Sequence, residues 1–218
     1  MSNEDSFINE VTEEVRRDRL FALMRRYGWI GVLAIVVIVG GAGVFEWRKA
    51  TAQAEAEAAG DALLAALQQD DATARANALS ELDITEDPGQ RAVLALLQSA
   101  ASLEINENAA AGAALDGVVA DSEVPQLYRD LALLKRVLAA TDLAAEERIS
   151  LLQPLMQAGN PFRLLAVEQR AFAEIELGET DTAIQTLQDL LADAEASEDL
   201  RRRAGRLIVS LGGSLDQG

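Results

Sequence analysis

Residues 27–47 read YGWIGVLAIVVIVGGAGVFEW, and from Tyr27 through Phe45 they include no charged side chain. A helix over this uncharged part extends about 28 Å, close to the thickness of a bilayer's hydrocarbon core. Backbone polar groups in lipid must be satisfied within the segment, so a single helix is expected. Trp29 and Trp47 stand near its ends, where aromatic rings favour the headgroup level. The stretch predicts one transmembrane helix over 27–47, with a buried core helix as the alternative.

Basic residues are concentrated on the N-terminal side of this segment. Only Arg48 and Lys49 follow it closely. The basic residues that precede it are Arg16, Arg17, Arg19, Arg25 and Arg26. Because an excess of Lys and Arg marks the cytoplasmic side, we expect a cytoplasmic N-terminus and an exported domain. A cleaved signal peptide is the alternative, but its apolar region is usually shorter and nearer the start of the chain. An uncleaved anchor is therefore expected.

The composition of the 218 residues restricts the classes of function. The net charge of −17 argues against sequence-independent binding to nucleic acid. The absence of cysteine removes disulfides and thiolate chemistry, and the absence of histidine removes the commonest general base and metal ligand. We expect no enzyme activity, no cofactor and no metal site. A hydrolase that uses only carboxylates is the alternative, and it would require paired acids in a deep cleft.

The rest of the chain is predicted to be all-α. Residues 1–26 suggest an amphipathic cytoplasmic lead, which either fixes topology through its arginines or docks on the membrane or on a partner. The alanine-rich residues 48–60 favour helix but offer few apolar side chains, which is typical of a solvated stalk. Residues 61–212 are expected to form a helical repeat domain, and residues 213–218 a flexible tail.

Breaks within 61–212 suggest consecutive antiparallel helices. Asp87-Pro88 predicts a capped helix start, Gly178 a helix end, and Ser197 the cap of the last helix. Aligned on Gly178, residues Ala183 and Leu187 fit a 34-residue tetratricopeptide template, and a second unit that includes Ala113 fits about 70 residues earlier. Residues 128–161 fit poorly. The predicted fold is a transmembrane helix followed by an α-solenoid of tetratricopeptide-like helix pairs, with an unrelated helical bundle as the alternative.

In such an array, the first helix of each pair lines a concave surface that can hold a peptide. The residues predicted to face it in the best-matched unit are Leu165, Glu168, Phe172 and Ile175. Aromatic residues are only 4% of the chain, so an exposed Phe172 would be a plausible anchor for an extended peptide. The alternative is that Phe172 is an ordinary core residue.

The lead DSFINEVTEEVRRDRLFALMRRYG, one membrane helix and a tetratricopeptide-like domain together resemble the ancillary SecYEG translocon subunit family. The C-terminal stretch NPFRLLAVEQRAFAEIELGETDTAIQTLQDLLADAEASEDLRRRAGRLIVSLG is also similar to that family. The resemblance implies a single-pass protein of the bacterial inner membrane with a periplasmic domain. Membrane lipid is expected to surround the apolar segment, and the resemblance implies the Sec translocon and periplasmic chaperones or emerging chains as protein partners. An assembly or scaffold subunit of another inner-membrane complex is the alternative function.

Overall fold

A computed structural model describes the backbone of residues 4–84 and 87–214. These residues form nine α-helices and contain no strand, which confirms the expected all-α class. The helices are α1 Glu4–Leu67, α2 Ala72–Ser80, α3 Pro88–Glu104, α4 Asn108–Ala120, α5 Gln126–Leu138, α6 Ala145–Leu152, α7 Arg163–Glu176, α8 Thr180–Ala192 and α9 Glu198–Ser210. A short 3-10 helix, Gln153–Met156, follows α6. The chain divides into two compact units, residues 1–60 and 61–218.

Helix α1 is continuous for 64 residues, so the predicted lead, transmembrane segment and stalk share one helix. In its apolar part, large side chains such as Ile38 and Phe45 are exposed rather than packed in a core. Within the described residues, one stretch, Trp29–Leu67, is long and apolar enough to cross a membrane. Because none of its apolar window is buried, the alternative of a buried core helix is not supported. The helix is compatible with a single-pass membrane protein.

The arginines that predict topology are only partly described. Arg25 and Arg26 lie on α1 with exposed side chains. Arg16, Arg17 and Arg19 lie on the same helix, but their side chains are outside the described part of the structure. The orientation of the helix across a membrane therefore stays a prediction from the sequence.

The helix boundaries in the second unit follow local capping chemistry. Asp87 caps α3 by accepting a hydrogen bond from the backbone N–H of Gln90 at 2.8 Å, and Pro88 occupies the first turn. Ser197 caps α9 in the same way. Gly178 ends α7 with a φ of 77°, a conformation that most side chains disfavour. The breaks that the sequence predicted at these three places are confirmed.

The core of the second unit is a series of small clusters rather than one central layer. Each cluster is built from three consecutive helices, beginning with the end of α1, α2 and α3 and finishing with α7, α8 and α9. Consecutive clusters are linked by the helix that they share, α3, α5 or α7. Each helix therefore packs mainly on its neighbours along the chain.

Two parts of this helical bundle match when Asn108, the first residue of α4, is aligned with Thr180, the first residue of α8. In this α4–α8 alignment the two helices are both 13 residues long, and so are α5 and α9, whose first residues also coincide. The buried residues of one cluster correspond to buried residues of another, with Leu115, Val118, Val124 and Ala132 aligned on Leu187, Leu190, Ala196 and Ala204.

The structure corrects the register of the sequence alignment. The sequence alignment paired Ala183 with Ala113, whereas the α4–α8 alignment pairs Ala183 with Ala111, and these two alanines are both fully buried. The two parts correspond in helix length and in buried positions, at a register two positions away from the one that the sequence alignment used. Membership of the tetratricopeptide class stays a prediction.

Candidate interaction surface

Helix α7 carries the four residues predicted to face a partner. Leu165 and Phe172 lie two turns apart and are exposed, at 41% and 43% of their surfaces. Ile175 is partly covered, and Glu168 is only 5% exposed. The structure therefore leaves two large apolar side chains of this α7 face open to solvent, and it buries the carboxylate between them.

The burial of Glu168 is explained by its ion pair with Arg203 of α9. The Nε and Nη2 atoms of Arg203 donate to Oε1 and Oε2 of Glu168 at 2.8 and 2.9 Å. This two-point hydrogen bonding raises the pKa of Arg203. Since both carboxylate oxygens accept from Arg203, Glu168 links α9 to α7. Of the four predicted residues, Leu165 and Phe172 are therefore the exposed apolar side chains that a partner could contact.

A second arginine contact fixes the start of α7. Arg163 donates to the Asp193 carboxylate at 2.7 Å and to the Glu195 carboxylate at 2.6 Å. Asp193 also accepts the backbone N–H of Glu195 at 2.9 Å. The hydrogen bond from Arg163 lowers the pKa of Asp193. The arginine thereby ties the first turn of α7 to the loop that joins α8 to α9.

The same arrangement recurs at Arg91, which corresponds to Arg163 in the α4–α8 alignment. Arg91 donates to Asp121 at 2.9 Å and to Glu123 at 3.0 Å, and Asp121 accepts the backbone N–H of Glu123. The hydrogen bond from Arg91 lowers the pKa of Asp121. The sequence analysis missed these contacts, although at both places an arginine is followed by acids at separations of 30 and 32. That spacing was the signal that could have revealed them.

The buried carboxylates of the second unit have hydrogen-bond partners, whereas the buried Ser99 Oγ has none among the described residues. Glu174 accepts from Arg170 Nε at 2.6 Å and from Thr186 Oγ1 at 2.8 Å. Asp130 accepts from Gln126 and from Asn160. Among the described residues, no group of three or more acidic side chains is arranged to hold a metal ion. These carboxylates connect neighbouring elements of the second unit to one another.

Arg136 shows how one buried cation is accommodated. Its guanidinium contacts Asp116 at 3.1 Å and Asp142 at 2.7 Å. The hydrogen bond with Asp142 raises the pKa of Arg136. Gly112 makes room for the group, since a Cβ at that position would lie 3.3 Å from the guanidinium carbon. In the α4–α8 alignment, Arg136 corresponds to the core residue Ile208, so one part of the chain uses an ion pair where the other uses apolar packing.

Compared with protein-family models, with curated proteins and with solved structures, the chain gave no match.

Proposed function

We propose that this chain is a membrane-anchored adaptor whose helical domain binds periplasmic chaperones or emerging chains beside the Sec export channel. The observation that supports the proposal is the uncovered apolar segment of α1, which is followed along the chain by a domain made of helices. A helix of this kind restricts a binding domain to the membrane surface. Tethering raises the effective concentration of the domain near its target, so that weak contacts suffice.

The side on which the domain lies follows from the distribution of basic residues. Five arginines precede the apolar segment and two basic residues follow it closely, which favours a cytoplasmic N-terminus and a periplasmic domain. Protease treatment of spheroplasts tests this directly. A C-terminal tag that is degraded without membrane lysis supports the orientation, and a tag that is protected until lysis contradicts it.

Binding is proposed to use the exposed apolar residues Leu165 and Phe172 of α7, supported by the acidic surface of the domain. Residues 46–218 hold 30 of the 36 acidic residues and 14 of the 19 basic ones. This charge favours partners with basic or unfolded surfaces and accelerates their association at low salt. If the association rate with a chaperone stays constant from low to high ionic strength, electrostatic steering is excluded.

The proposal is tested with photo-crosslinking amino acids placed at Leu165 and Phe172 in the full chain. The membrane fraction is solubilised in a mild detergent, and the crosslinked proteins are identified. Crosslinks to chaperones and to many exported chains, together with co-purification of the channel, support the adaptor function. Crosslinks to a single fixed complex without the channel support the scaffold alternative instead. A position on α5, Leu138, is at least as exposed and serves as the control for nonspecific crosslinking.

A further inference from the structure

The C-terminal end of the helical domain carries an open groove between α8 and α9. The groove encloses about 850 Å³. Its lining includes Leu191, Gly205 and Val209 together with three arginines, Arg201, Arg202 and Arg206. Val209 is 58% exposed, although it directly follows Ile208, which is fully buried. The last helix of a helical array usually presents a polar outer face, so an apolar strip here is unexpected.

The α4–α8 alignment shows which elements cover the equivalent surface on α5. In this alignment Leu134 and Val137 of α5 correspond to Arg206 and Val209 of α9. Leu134 and Val137 are buried in a cluster with Leu152, the last residue of α6, and with residues of the following 3-10 helix. Within the described residues no helix follows α9. The surface that α6 covers on α5 is therefore not covered on α9 by any helix in the described part of the chain.

Two aligned positions differ between α9, which borders the open groove, and α5, whose equivalent surface is covered by α6. Gly205 of α9 stands at the position of Leu133 on α5, and Arg206 stands at the position of Leu134. Arg202 pairs with Asp199 and Arg201 donates to a backbone carbonyl, whereas Arg206 makes no ion pair with any of the described residues. The groove thus combines apolar lining residues with the guanidinium of Arg206, unpaired among the described residues, in a chain whose net charge is −17.

We infer that this end groove binds an amphipathic helix of another protein, with an apolar stripe that packs on Val209 and carboxylates that meet Arg206. Such a helix would take the place on α9 that α6 takes on α5. A second copy of the chain is a poorer occupant, because packing α9 on α9 brings the arginines of both copies together. The inference does not depend on the identity of the membrane complex, since it concerns the groove alone.

The test uses the full chain in nanodiscs of zwitterionic lipid and two fluorescent helical peptides patterned on α6. Both peptides carry leucines at the spacing of one helix face, and the flanking positions are all glutamate in one and all lysine in the other. Binding is measured by fluorescence anisotropy, with empty nanodiscs subtracted because amphipathic peptides also bind lipid. We expect saturable binding that is tighter for the glutamate peptide.

Variants locate the binding in the groove. Val209→Glu places a charge in the apolar contact and is expected to weaken binding roughly tenfold or more. Arg206→Glu is expected to lower affinity for the glutamate peptide about two- to fivefold, the effect of one exposed ion pair, and to raise affinity for the lysine peptide. Leu138→Ser changes a similarly exposed apolar residue outside the groove and should leave both affinities unchanged. Circular dichroism melting confirms that each variant is folded.

Several results would overturn the inference. One is a failure of both peptides to saturate up to about 1 mM, which is weaker than a specific contact of this kind allows. Binding that is unaffected by Val209→Glu would place the site elsewhere. Sedimentation that shows a dimer converted to a monomer by Val209→Glu would make a second copy the occupant. A missing interaction with the export channel would leave these measurements unchanged, so the two proposals fail separately.

Discussion

Replacing Phe172 of α7 with serine tests whether this residue is an exposed anchor for a partner or an ordinary core residue. Phe172 is 43% exposed, so slightly more than half of its surface is covered by the domain. Burying a phenylalanine completely stabilises a protein by about 1.5–3 kcal/mol. The covered part of Phe172 is therefore worth about 1–2 kcal/mol. Helix propensity adds little, because serine and phenylalanine are similar in helices.

The expected fall in melting temperature is small. For a domain of this size, a change of about 1 kcal/mol shifts the melting temperature by about 2–4 °C, so Phe172→Ser should lower it by about 2–8 °C. The melting of the purified full chain is followed by circular dichroism at the helix band. Crosslinking or binding of partners is measured on the same preparation, and a loss much larger than the change in stability is expected.

The matched control is Leu138→Ser on α5. Leu138 is 56% exposed and lies outside the α7 face, so this variant should lose somewhat less stability and no partner binding. A destabilisation of Phe172→Ser above about 3 kcal/mol, the range of a buried phenylalanine removed from a core, would refute the partial exposure. Unchanged partner binding together with that loss would remove Phe172 from the proposed surface.

Three further predictions concern the core, the arginine contacts and the turn glycine. Leu187 is fully buried, so Leu187→Ala should lower the free energy of unfolding by about 2–5 kcal/mol in urea titrations; a loss below about 1 kcal/mol would contradict its place in the core. The pKa of Asp193 is lowered in the folded protein, so the stability that its ionised form contributes is complete above the ordinary aspartate pKa near 4 and is lost as the pH falls through the lowered value. Asp193→Asn should therefore destabilise at pH 7 and converge with the wild type in strong acid, as urea midpoints across pH will show; a constant difference would exclude the linkage. Gly178 has a φ of 77°, and Asn106 holds the equivalent position with a φ of 63°. Gly178→Asn should be tolerated, and Gly178→Val should cost more than about 1 kcal/mol in the same titrations because a β-branched side chain strains this conformation; equal stabilities would contradict it.

Local chemistry made the helix boundaries predictable. Asp87 before Pro88, the glycine at 178 and Ser197 each act through neighbouring backbone atoms, so their effect is visible in the sequence. The long apolar helix after Tyr27 was equally predictable, because its length and its lack of charge can be read directly from the sequence. These features predict where helices begin and end, and they say little about which helices meet.

Contacts between distant residues explain what the sequence did not reveal. Glu168 was expected to face a partner, yet Arg203 of α9 covers it. The register between the two matching parts was also misjudged, since an alanine-rich sequence offers several alignments of small residues. Arg91 and Arg163 each form ion pairs with acids at the same separations, 30 and 32, and so fix the α4–α8 alignment without ambiguity. Charged partners across a helix pair are therefore better markers of this correspondence than the alanines.

The two surfaces proposed for the domain differ in the chemistry they offer. Leu165 and Phe172 present apolar side chains without a free cation between them, because Arg203 is engaged by Glu168. The end groove presents Val209 beside Arg206, at the place that corresponds to the surface of α5 on which α6 packs. An extended chain without fixed structure suits the first surface, and a preformed acidic helix suits the second. If both are used, Val209→Glu and Phe172→Ser should impair different partners, and their effects on stability should add because the residues belong to different contacts. Loss of the same partner in both variants would instead show that one surface extends across α7 and α9.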